Sequence, residues 1–561
     1  GLALGSRLFA LRGNPGIELP LLRRLTLGEL AAVVAVLAAA GLLVNLAPPR
    51  TTAAGTASGV APASASGPAL RLAGFAGRVA VALAVTRQDL EFLVLPPGGR
   101  SPTGFELTAE AERPGGMGTT LYPRSCGEGC FAIRYRLRPG TTTIAATVAS
   151  PSSPAATVRF AVPGPLTAAR PELLRRMKVA LRNERSVTVV ERLSAGSSTQ
   201  STTSTFHLTG PGLLAADPLV SPVDVRVLGR EHGLTQLSFA TEDGTAWYRA
   251  WIDGRDRLRR ERIVRPGLLG ERTVSYGATV SDVTGPGPVA TRSIPIGPFV
   301  LGREAGDLAL GLAARPAGSG RLAVTTTVLG QDGNAATGLD LRVRLRSRSV
   351  STAHAAPCGA GCYAATLAVT GRPRAADVTI RRLGRVPSTV RFPFPSRWPP
   401  PSATRIAARA TRVFARLRSL TIDERLGSNA TNVQHTIWRL QAPNRLSYSI
   451  EGGEQAIVVG DRRWDRSPGA NWLESPQQPV KQPAPTWGAA PAEAALLGPG
   501  SVRGRPVWRI SFVDRSVPAW YTISVDRQTG RTLGLEMTAA AHFMHHVYSG
   551  FDAAPGIAPP R

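Results

Sequence analysis

Apolar and polar residues alternate with a period of two over many short stretches of the chain. The clearest stretches are Val79, Val81, Leu83 and Val85, matched later by Leu308, Leu310 and Leu312. Successive side chains of a β-strand point to opposite faces, so this pattern predicts strands with one buried face. Turn signals such as residues 96–99, Pro-Pro-Gly-Gly, separate the stretches. We expect two antiparallel β-sandwiches, over residues 70–163 and 296–395.

A helical spacing replaces the alternation after each predicted sandwich. Apolar residues three and four positions apart form one stripe in each copy: Leu173, Leu174, Met177 and Leu181 in the first, and Ile406, Ala410, Val413, Phe414 and Leu417 in the second. Such a stripe predicts a short amphipathic helix with one buried face. Strand patterns resume after each helix. The economical arrangement is one helix laid on a curved antiparallel sheet, a half-barrel, over residues 164–290 and 402–561.

Residues 27–47 form a long apolar run near the N-terminus, with Glu29 and Asn45 close to its ends. A helix of about 20 apolar residues spans the hydrocarbon core of a bilayer. The alternative is a signal peptide, but the run is long for one and Pro48-Pro49 replaces a small-residue cleavage site. We favour a membrane anchor in a bacterial cell membrane, with residues 1–26 cytoplasmic, 48–69 a flexible linker and the rest extracytoplasmic.

An internal repeat relates the two halves of the remaining chain. The segment Cys126-Gly-Glu-Gly-Cys130 returns 232 residues later as Cys358-Gly-Ala-Gly-Cys362, and Glu191-Arg192-Leu193 returns as Glu424-Arg425-Leu426. Further on, Ala246-Trp247-Tyr248 matches Ala519-Trp520-Tyr521, with about 40 additional residues in the second copy. We expect these residues, around Val458 to Trp487, to supply strands that the first copy lacks. The fold predicted is therefore mainly β, with an N-terminal transmembrane helix and two tandem copies of a sandwich plus a half-barrel.

The net charge of +28 comes almost entirely from arginine, since Lys178 and Lys481 are the only lysines. The arginines are spread along the chain and no RNA-binding aromatic signature or basic recognition helix accompanies them, so a nucleic-acid partner is not expected. An anionic lipid bilayer is the better electrostatic partner. The chain opens on Gly1 rather than Met, and we expect it to be part of a longer protein.

The four cysteines occur as two Cys-x-x-x-Cys pairs. Outside the membrane such thiols are usually oxidised, which predicts the disulfides Cys126–Cys130 and Cys358–Cys362. A thiolate metal site is the alternative, but each pair offers only two ligands. In the segment His542 to His546, strand alternation would place His542, Met544 and His546 on one face, a candidate copper site or an ordinary strand with a buried methionine.

Catalytic motifs are absent from the sequence: it contains no nucleophile elbow, metalloprotease motif or phosphate-binding glycine loop, so we do not expect an enzyme. The Glu-Arg pairs repeated in both copies are interpreted as structural. The C-terminal region is rich in tryptophan, which either forms its core or lines an apolar ligand face; the candidates for that face are Trp464, Trp472 and Trp487.

Residues 22–50, with Leu-Arg-Arg-Leu before the apolar helix and Asn-Leu-Ala-Pro-Pro-Arg after it, resemble the last membrane helix of CopD-type copper resistance proteins. The resemblance implies that the two β-sandwiches are immunoglobulin-like. As the leading interpretation, it also implies a non-catalytic, extracytoplasmic accessory region for copper transport or resistance, whose copper ligands would lie in earlier membrane helices. The segments 170–277 and 402–561 are similar in plan to LolA/LppX-like half-barrels, which hold lipid or lipoprotein acyl chains. This second resemblance implies an anchored carrier of a hydrophobic ligand, or a contact site for a protein partner.

Overall fold

The computed structural model describes residues 69–97, 103–114, 116, 118–150, 153–196, 198, 200–216, 222–277, 294–429, 431–488, 491, 493–553 and 556–560. The predicted transmembrane helix at 27–47 and nearly all of the predicted linker lie outside these residues, as does the segment that resembles CopD. None of the helices in the described ranges is long and apolar enough to cross a membrane. The described chain is mainly β, as predicted.

The first sandwich packs two sheets around one core. Its strands are β1 (Leu70–Ala76), β2 (Val79–Val85), β3 (Asp89–Leu95), β4 (Glu106–Glu112), β5 (Thr119–Leu121), β6 (Arg124–Gly127), β7 (Cys130–Arg134), β8 (Gly140–Ser150) and β9 (Ser153–Gly164). The sheet orders are β1-β2-β3-β7-β6 and β5-β4-β8-β9. The alternating side chains of each strand determine which residues enter the core. In β4, for example, every second residue is buried.

The first helix-on-sheet unit follows. It contains α1 (Pro171–Asn183), β10 (Val187–Ser194), β11 (Ser201–Leu208), α2 (Gly210–Ala216), β12 (Pro222–Glu231), β13 (Leu234–Thr241), β14 (Trp247–Ile252), β15 (Leu258–Arg265) and β16 (Leu268–Tyr276). The sheet order is β11-β10-β16-β15-β14-β13-β12. The predicted stripe of α1 is buried and packs on one face of this sheet, which we call the inner face. Pro171 suits the first turn of α1, where its missing N–H would have no partner within the helix. Glu172 at the start and Arg182 at the end suit the helix dipole.

The second sandwich repeats the first with one difference in connectivity. Its strands are β17 (Phe299–Ala305), β18 (Leu308–Pro316), β19 (Arg321–Leu329), β20 (Asp340–Arg346), β21 (Val350–Gly359), β22 (Cys362–Ala368), β23 (Ala375–Arg381) and β24 (Ser388–Pro393). They form one continuous sheet in the order β17-β18-β19-β22-β21-β20-β23-β24. The long strand β21 pairs with β22 at one end and β20 at the other, and so joins the two layers. The corresponding strand of the first sandwich is divided into β5 and β6.

The second helix-on-sheet unit has a larger sheet. It contains α3 (Thr404–Phe414), β25 (Ser419–Asn429), β26 (Asn432–Gln441), β27 (Arg445–Ile450), β28 (Gln455–Val459), β29 (Arg462–Arg466), β30 (Leu473–Pro476), β31 (Ala495–Val502), β32 (Arg505–Asp514), β33 (Ala519–Asp526), β34 (Thr532–Ala539) and β35 (His542–Ser549). The order is β30-β29-β28-β27-β26-β25-β35-β34-β33-β32-β31. The expected additional strands are present as β27 to β30, and they begin at Arg445 rather than near Val458.

The repeated Trp-Tyr pair holds each sheet between a sandwich and its helix. Adjacent strand residues face opposite sides, so the tryptophan and tyrosine of each pair separate. Tyr248 stacks on Phe239 at 4.9 Å in the first unit, and Tyr521 stacks on Phe512 at 5.3 Å in the second. Both tyrosines belong to the core beneath the helix. Trp247 and Trp520 are instead buried against the preceding sandwich.

Both disulfides predicted from the sequence are present. Cys126 bonds to Cys130 with a Cα–Cα distance of 5.1 Å, and Cys358 to Cys362 at 5.0 Å. Each disulfide closes a hairpin turn, between β6 and β7 or between β21 and β22. Gly127 and Gly359 take φ values of +146° and +144° in these turns, a conformation that favours glycine. The glycines between the cysteines are therefore part of the turn.

Candidate functional site: an apolar cleft beside the second sheet

Trp487 belongs to the segment that follows the additional strands, and it packs against α3. Its ring packs edge-on against Phe414 of α3, with the ring centroids 5.2 Å apart. Its indole Nε1 donates a hydrogen bond to Thr411 Oγ1 at 2.9 Å. The side chain is only 2% exposed. Because both the ring and its N–H have partners, Trp487 is held in one orientation.

A cleft of about 480 Å³ opens beside Trp487. Three parts of the chain line it: the approach to the second sandwich, the segment after the additional strands, and the end of β32 with its turn. The lining residues include Ile296, Val300, Trp487, Pro491, Phe512 and Val513. A volume of this size lies within the range of pockets that hold small molecules, roughly 300–1,000 Å³. The second sandwich and the second helix-on-sheet unit therefore form the cleft together.

The cleft combines buried apolar residues with a polar rim. Phe512 and Val300 are almost fully buried, whereas Ile296 is 43% exposed at the opening. Glu493, Asp514, Arg515 and Ser516 supply the polar groups of the lining. Burial raises the pKa of Tyr521, which stacks on Phe512, to about 12, so its hydroxyl remains protonated at neutral pH. This arrangement suits a molecule with an apolar part and a polar end.

A buried polar network crosses the inner face of the second sheet. Glu424 Oε2 lies 2.6 Å from His546 Nε2, and the other ring nitrogen of His546 lies 2.9 Å from the Tyr548 hydroxyl. Trp438 Nε1 donates to Glu424 Oε1 at 2.9 Å. Burial raises the pKa of Tyr548 well above its usual value. The network is closed by side chains of its own unit, which is how a buried carboxylate avoids a large desolvation cost.

The three tryptophans predicted for a ligand face lie in different places. Trp487 lines the cleft. Trp464 is buried, donates to Glu474 at 3.0 Å and pairs with Ile457 on the next strand. Ile457 in turn pairs with Ser447, and Ser447 pairs with Arg439, so Trp464 and Arg439 lie on the same face of the sheet. Trp438 is the neighbour of Arg439 in its strand and therefore lies on the opposite face. Trp472 is half-buried, with the Arg466 guanidinium 4.6 Å from its ring centre.

The predicted copper candidates lie on one strand face, as the alternation requires. His542, Met544 and His546 pair with alternate residues of β34. His542 and His546 are four residues apart, about 13 Å along a strand, too far for both to bind one ion. Both ring nitrogens of His546 already have partners. Within the described ranges no cluster of three or more His, Cys, Asp or Glu is suitable for holding a metal.

The first unit carries a different network at the corresponding place. Arg272 donates to Glu191 at 2.7 Å and to Glu261 at 2.8 Å, and all three side chains are about 1% exposed. The backbone N–H of Gly384, in the loop between β23 and β24, lies 2.9 Å from both oxygens of Glu191. The neighbouring Leu383 belongs to the core of the first unit. A loop of the second sandwich therefore covers part of the inner face of the first unit.

Sequence reasoning missed the partners of both repeated glutamates. Glu191 and Glu424 were interpreted as members of structural Glu-Arg pairs with the next residue in the chain. Their partners come instead from the strands that pair with β10 and β25: Arg272 lies opposite Glu191, and His546 lies opposite Glu424. The recurrence of the glutamate was the available signal. Its partner could not be read, because strand pairing joins residues far apart in the chain.

Comparisons with known proteins identify no family. No family model matches the chain, and no curated protein matches it. Two similar solved structures are LprF from Mycobacterium bovis, with 10% identity and TM-score 0.23, and the lipoprotein LppX of Mycobacterium tuberculosis, with 10% identity and TM-score 0.21. Each covers 28% of this chain; the matches span 96% and 97% of those proteins.

A DUF1329 family protein from Desulfovibrio piger is similar over 28% of this chain and 93% of its own length, with 10% identity and TM-score 0.17. Similarities this weak do not establish a function. The function has to be inferred from the contacts and chemistry of the chain itself.

Proposed function

We propose that the second helix-on-sheet unit binds a hydrophobic ligand in the cleft beside Trp487, and that the protein acts by binding rather than by catalysis. The observation that carries the proposal is the cleft itself: about 480 Å³, with an apolar floor that includes Phe512 and Val300 and a polar rim. The ligand class that fits is an amphipathic molecule with one acyl chain or a similar apolar group. Its polar end would lie among Glu493, Asp514 and Arg515.

The surrounding contacts support a preformed site. Trp487 is fixed against α3 by its hydrogen bond to Thr411, and Phe512 is fixed by its stack on Tyr521. A ligand entering such a site would not have to order these rings, which lowers the entropic cost of binding. The rim residue Ile296 is partly exposed, and its apolar surface would be removed from water by an acyl chain.

The location proposed for this activity is the outer side of a bacterial cell membrane. It rests on the apolar run at residues 27–47 and the arginines before it. No contact among the described residues favours copper transport, the other function suggested by the sequence.

The test is binding of a fluorescent long-chain fatty-acid analogue to the full chain. We expect saturable binding that Ile296→Asp weakens at least about tenfold, because a charge would lie against the apolar chain. Ile296 is suited to the test since it is 43% exposed and its replacement does not open a core. The matched control is Val433→Asp, at a 54% exposed position on β26 away from the cleft lining.

The control variant should bind the probe as the unaltered protein does. Absence of saturable binding to the unaltered protein would refute the proposal. Equal binding by Ile296→Asp and the unaltered protein would place any hydrophobic site elsewhere, and would refute the assignment to this cleft.

A further inference from the structure

The helix α3 has two opposite faces of very different chemistry. Ala403, Ala407, Ala410 and Phe414 are buried against the sheet. Arg405, Arg409, Arg412 and Arg416 recur with the same spacing of four, three and four residues, and all four are exposed. At 100° per residue the two sets lie on opposite sides of the helix. The four arginines, the last in the turn that follows the helix, form an arginine stripe about 16 Å long.

The arginine stripe is not neutralised by the protein. Within the described part of the chain, none of the four guanidinium groups has a carboxylate at ion-pair distance. Arg409 donates a hydrogen bond to the carbonyl of Gln528 at 3.1 Å, which leaves its charge unpaired. Adjacent unpaired cations on one face repel each other. The stripe therefore has a small electrostatic cost in the isolated protein.

Helix stability does not explain the stripe. Cations favour the C-terminal end of a helix and are unfavourable in the first turn, where Arg405 lies. No acidic residue occurs in the first turn of α3. The repeated helix α1 has the favourable arrangement, with Glu172 in its first turn, and its Arg176 pairs with Asp256 at 3.1 Å. In the first turn, therefore, α3 has a cation where α1 has an acidic residue, and this difference points to a partner for α3 outside the described chain.

We propose that the arginine stripe of α3 docks on the anionic headgroups of a phospholipid bilayer. A guanidinium group binds phosphate through paired hydrogen bonds, and a row of four suits a surface that presents many phosphates side by side. Single-stranded nucleic acids are held with aromatic residues for stacking, and protein interfaces place aromatic or other apolar residues beside arginine at their centre. The stripe contains neither, so a headgroup surface, recognised by charge alone, fits best.

The test compares binding of the full chain to two kinds of vesicle: phosphatidylcholine alone, and phosphatidylcholine with about 30% phosphatidylglycerol, a composition that gives a negative surface potential. The apolar run at 27–47 contributes to binding of both kinds of vesicle. The partition coefficient on the anionic vesicles, divided by that on the neutral vesicles, therefore measures the effect of headgroup charge. The test variant replaces Arg405, Arg412 and Arg416 with Gln and retains Arg409, which contacts Gln528. Each arginine at an anionic surface is worth about fivefold in binding.

The ratio should therefore fall by about a hundredfold in the test variant at low salt, and less at high salt. The control variant replaces Arg321, Arg342 and Arg344, three exposed arginines of the second sandwich, and so removes the same net charge. Its ratio should stay within about threefold of the unaltered protein, since these residues would not contact the surface.

Three results would overturn the proposal. The first is an equal ratio for the test variant and the unaltered protein. The second is an equal fall in the control variant, which would show that net charge and not the arginine stripe determines vesicle binding. Alternatively, the test variant could lose binding to a short DNA duplex while its vesicle ratio stays unchanged, which would assign the stripe to nucleic acid. Binding of the fatty-acid analogue is measured separately, so this test does not depend on the cleft.

Discussion

The two helix-on-sheet units bury a glutamate at the same place in the repeat and satisfy it in different ways. In the first unit, Glu191 pairs with Arg272, which also binds Glu261, and a backbone N–H from the second sandwich completes the set. In the second unit, Glu424 is satisfied by His546 and Trp438 of its own unit. Arginine is always charged, so the first solution buries an ion network, whereas the second uses a side chain that can be neutral.

The two units share a fold but differ in the segments that pack around them. The first unit depends on a neighbouring domain: the Leu383–Gly384 loop fills part of its inner face. The second unit closes its own network and carries the additional strands β27 to β30, and a cleft opens beside its helix. We infer that the first unit serves mainly to position the sandwiches, and that ligand binding belongs to the second.

The largest expected effect comes from removing the arginine of the first network. Arg272→Met would leave Glu191 and Glu261 buried without their cation and should cost about 3–5 kcal/mol of unfolding free energy. His546→Gln in the second unit should cost about 1–3 kcal/mol, because it removes one buried hydrogen-bond partner. Amide hydrogen exchange of β10 and β25 measures the two units separately. Equal losses in both variants would show that the two networks do not differ in kind.

The contact between the second sandwich and the first unit is tested by Leu383→Ala. Leu383 is 6% exposed in the core of the first unit, so its truncation should cost about 2–5 kcal/mol there. The matched control is Val386→Ala in the same loop, where the side chain is 73% exposed and little should change. In the Leu383→Ala variant, amide hydrogen exchange should become faster in β10 to β16 and stay unchanged in β25 to β35. An increase in both units would indicate global rather than local destabilisation.

The two disulfides should make equal, moderate contributions. Each joins cysteines four positions apart in the chain, and loops this short constrain the unfolded state by about 2 kcal/mol. Replacing Cys126 and Cys130 with Ser, or Cys358 and Cys362 with Ser, should therefore cost about the same in each sandwich. Chemical denaturation measures both variants. Mass spectrometry of the unreduced protein provides the check, since four free thiols would contradict the pairing.

The smallest expected effect is a pH dependence confined to the second unit. Hydrogen bonds to Glu451 and Asp423 raise the pKa of the partly exposed His435 above its usual 6.5. Its stabilising contribution is therefore complete below pH 6.5 and is lost as the pH rises through the raised pKa. NMR titration of the imidazole should show this pKa, and Asp423→Asn should lower it. Thr203 has the matching register position in the first unit, which should lack the transition. A His435 pKa at or below 6.5 would remove this difference.

The sequence predicted the parts of the fold that depend on local periodicity. Alternation identified the sandwich strands, and the apolar stripes located α1 and α3, whose helical cores include Met177 and Phe414. The repeated cysteines identified two disulfides, because three intervening residues bring the sulfurs together in a hairpin turn. Of the candidate site, only Trp487 was predicted among the residues that line the cleft.

Tertiary structure alone decided which surfaces meet. Trp464 and Trp487 look equivalent in the sequence, yet strand register places Trp464 on the outer face and a long connection brings Trp487 to the cleft. The Glu191–Gly384 contact joins residues 193 positions apart, and the Glu424–His546 contact joins residues 122 positions apart. Local periodicity reports which face of an element is buried, because burial repeats with the backbone geometry. It contains no information about the element that covers that face, since the packing of distant segments depends on the shapes and charges of both.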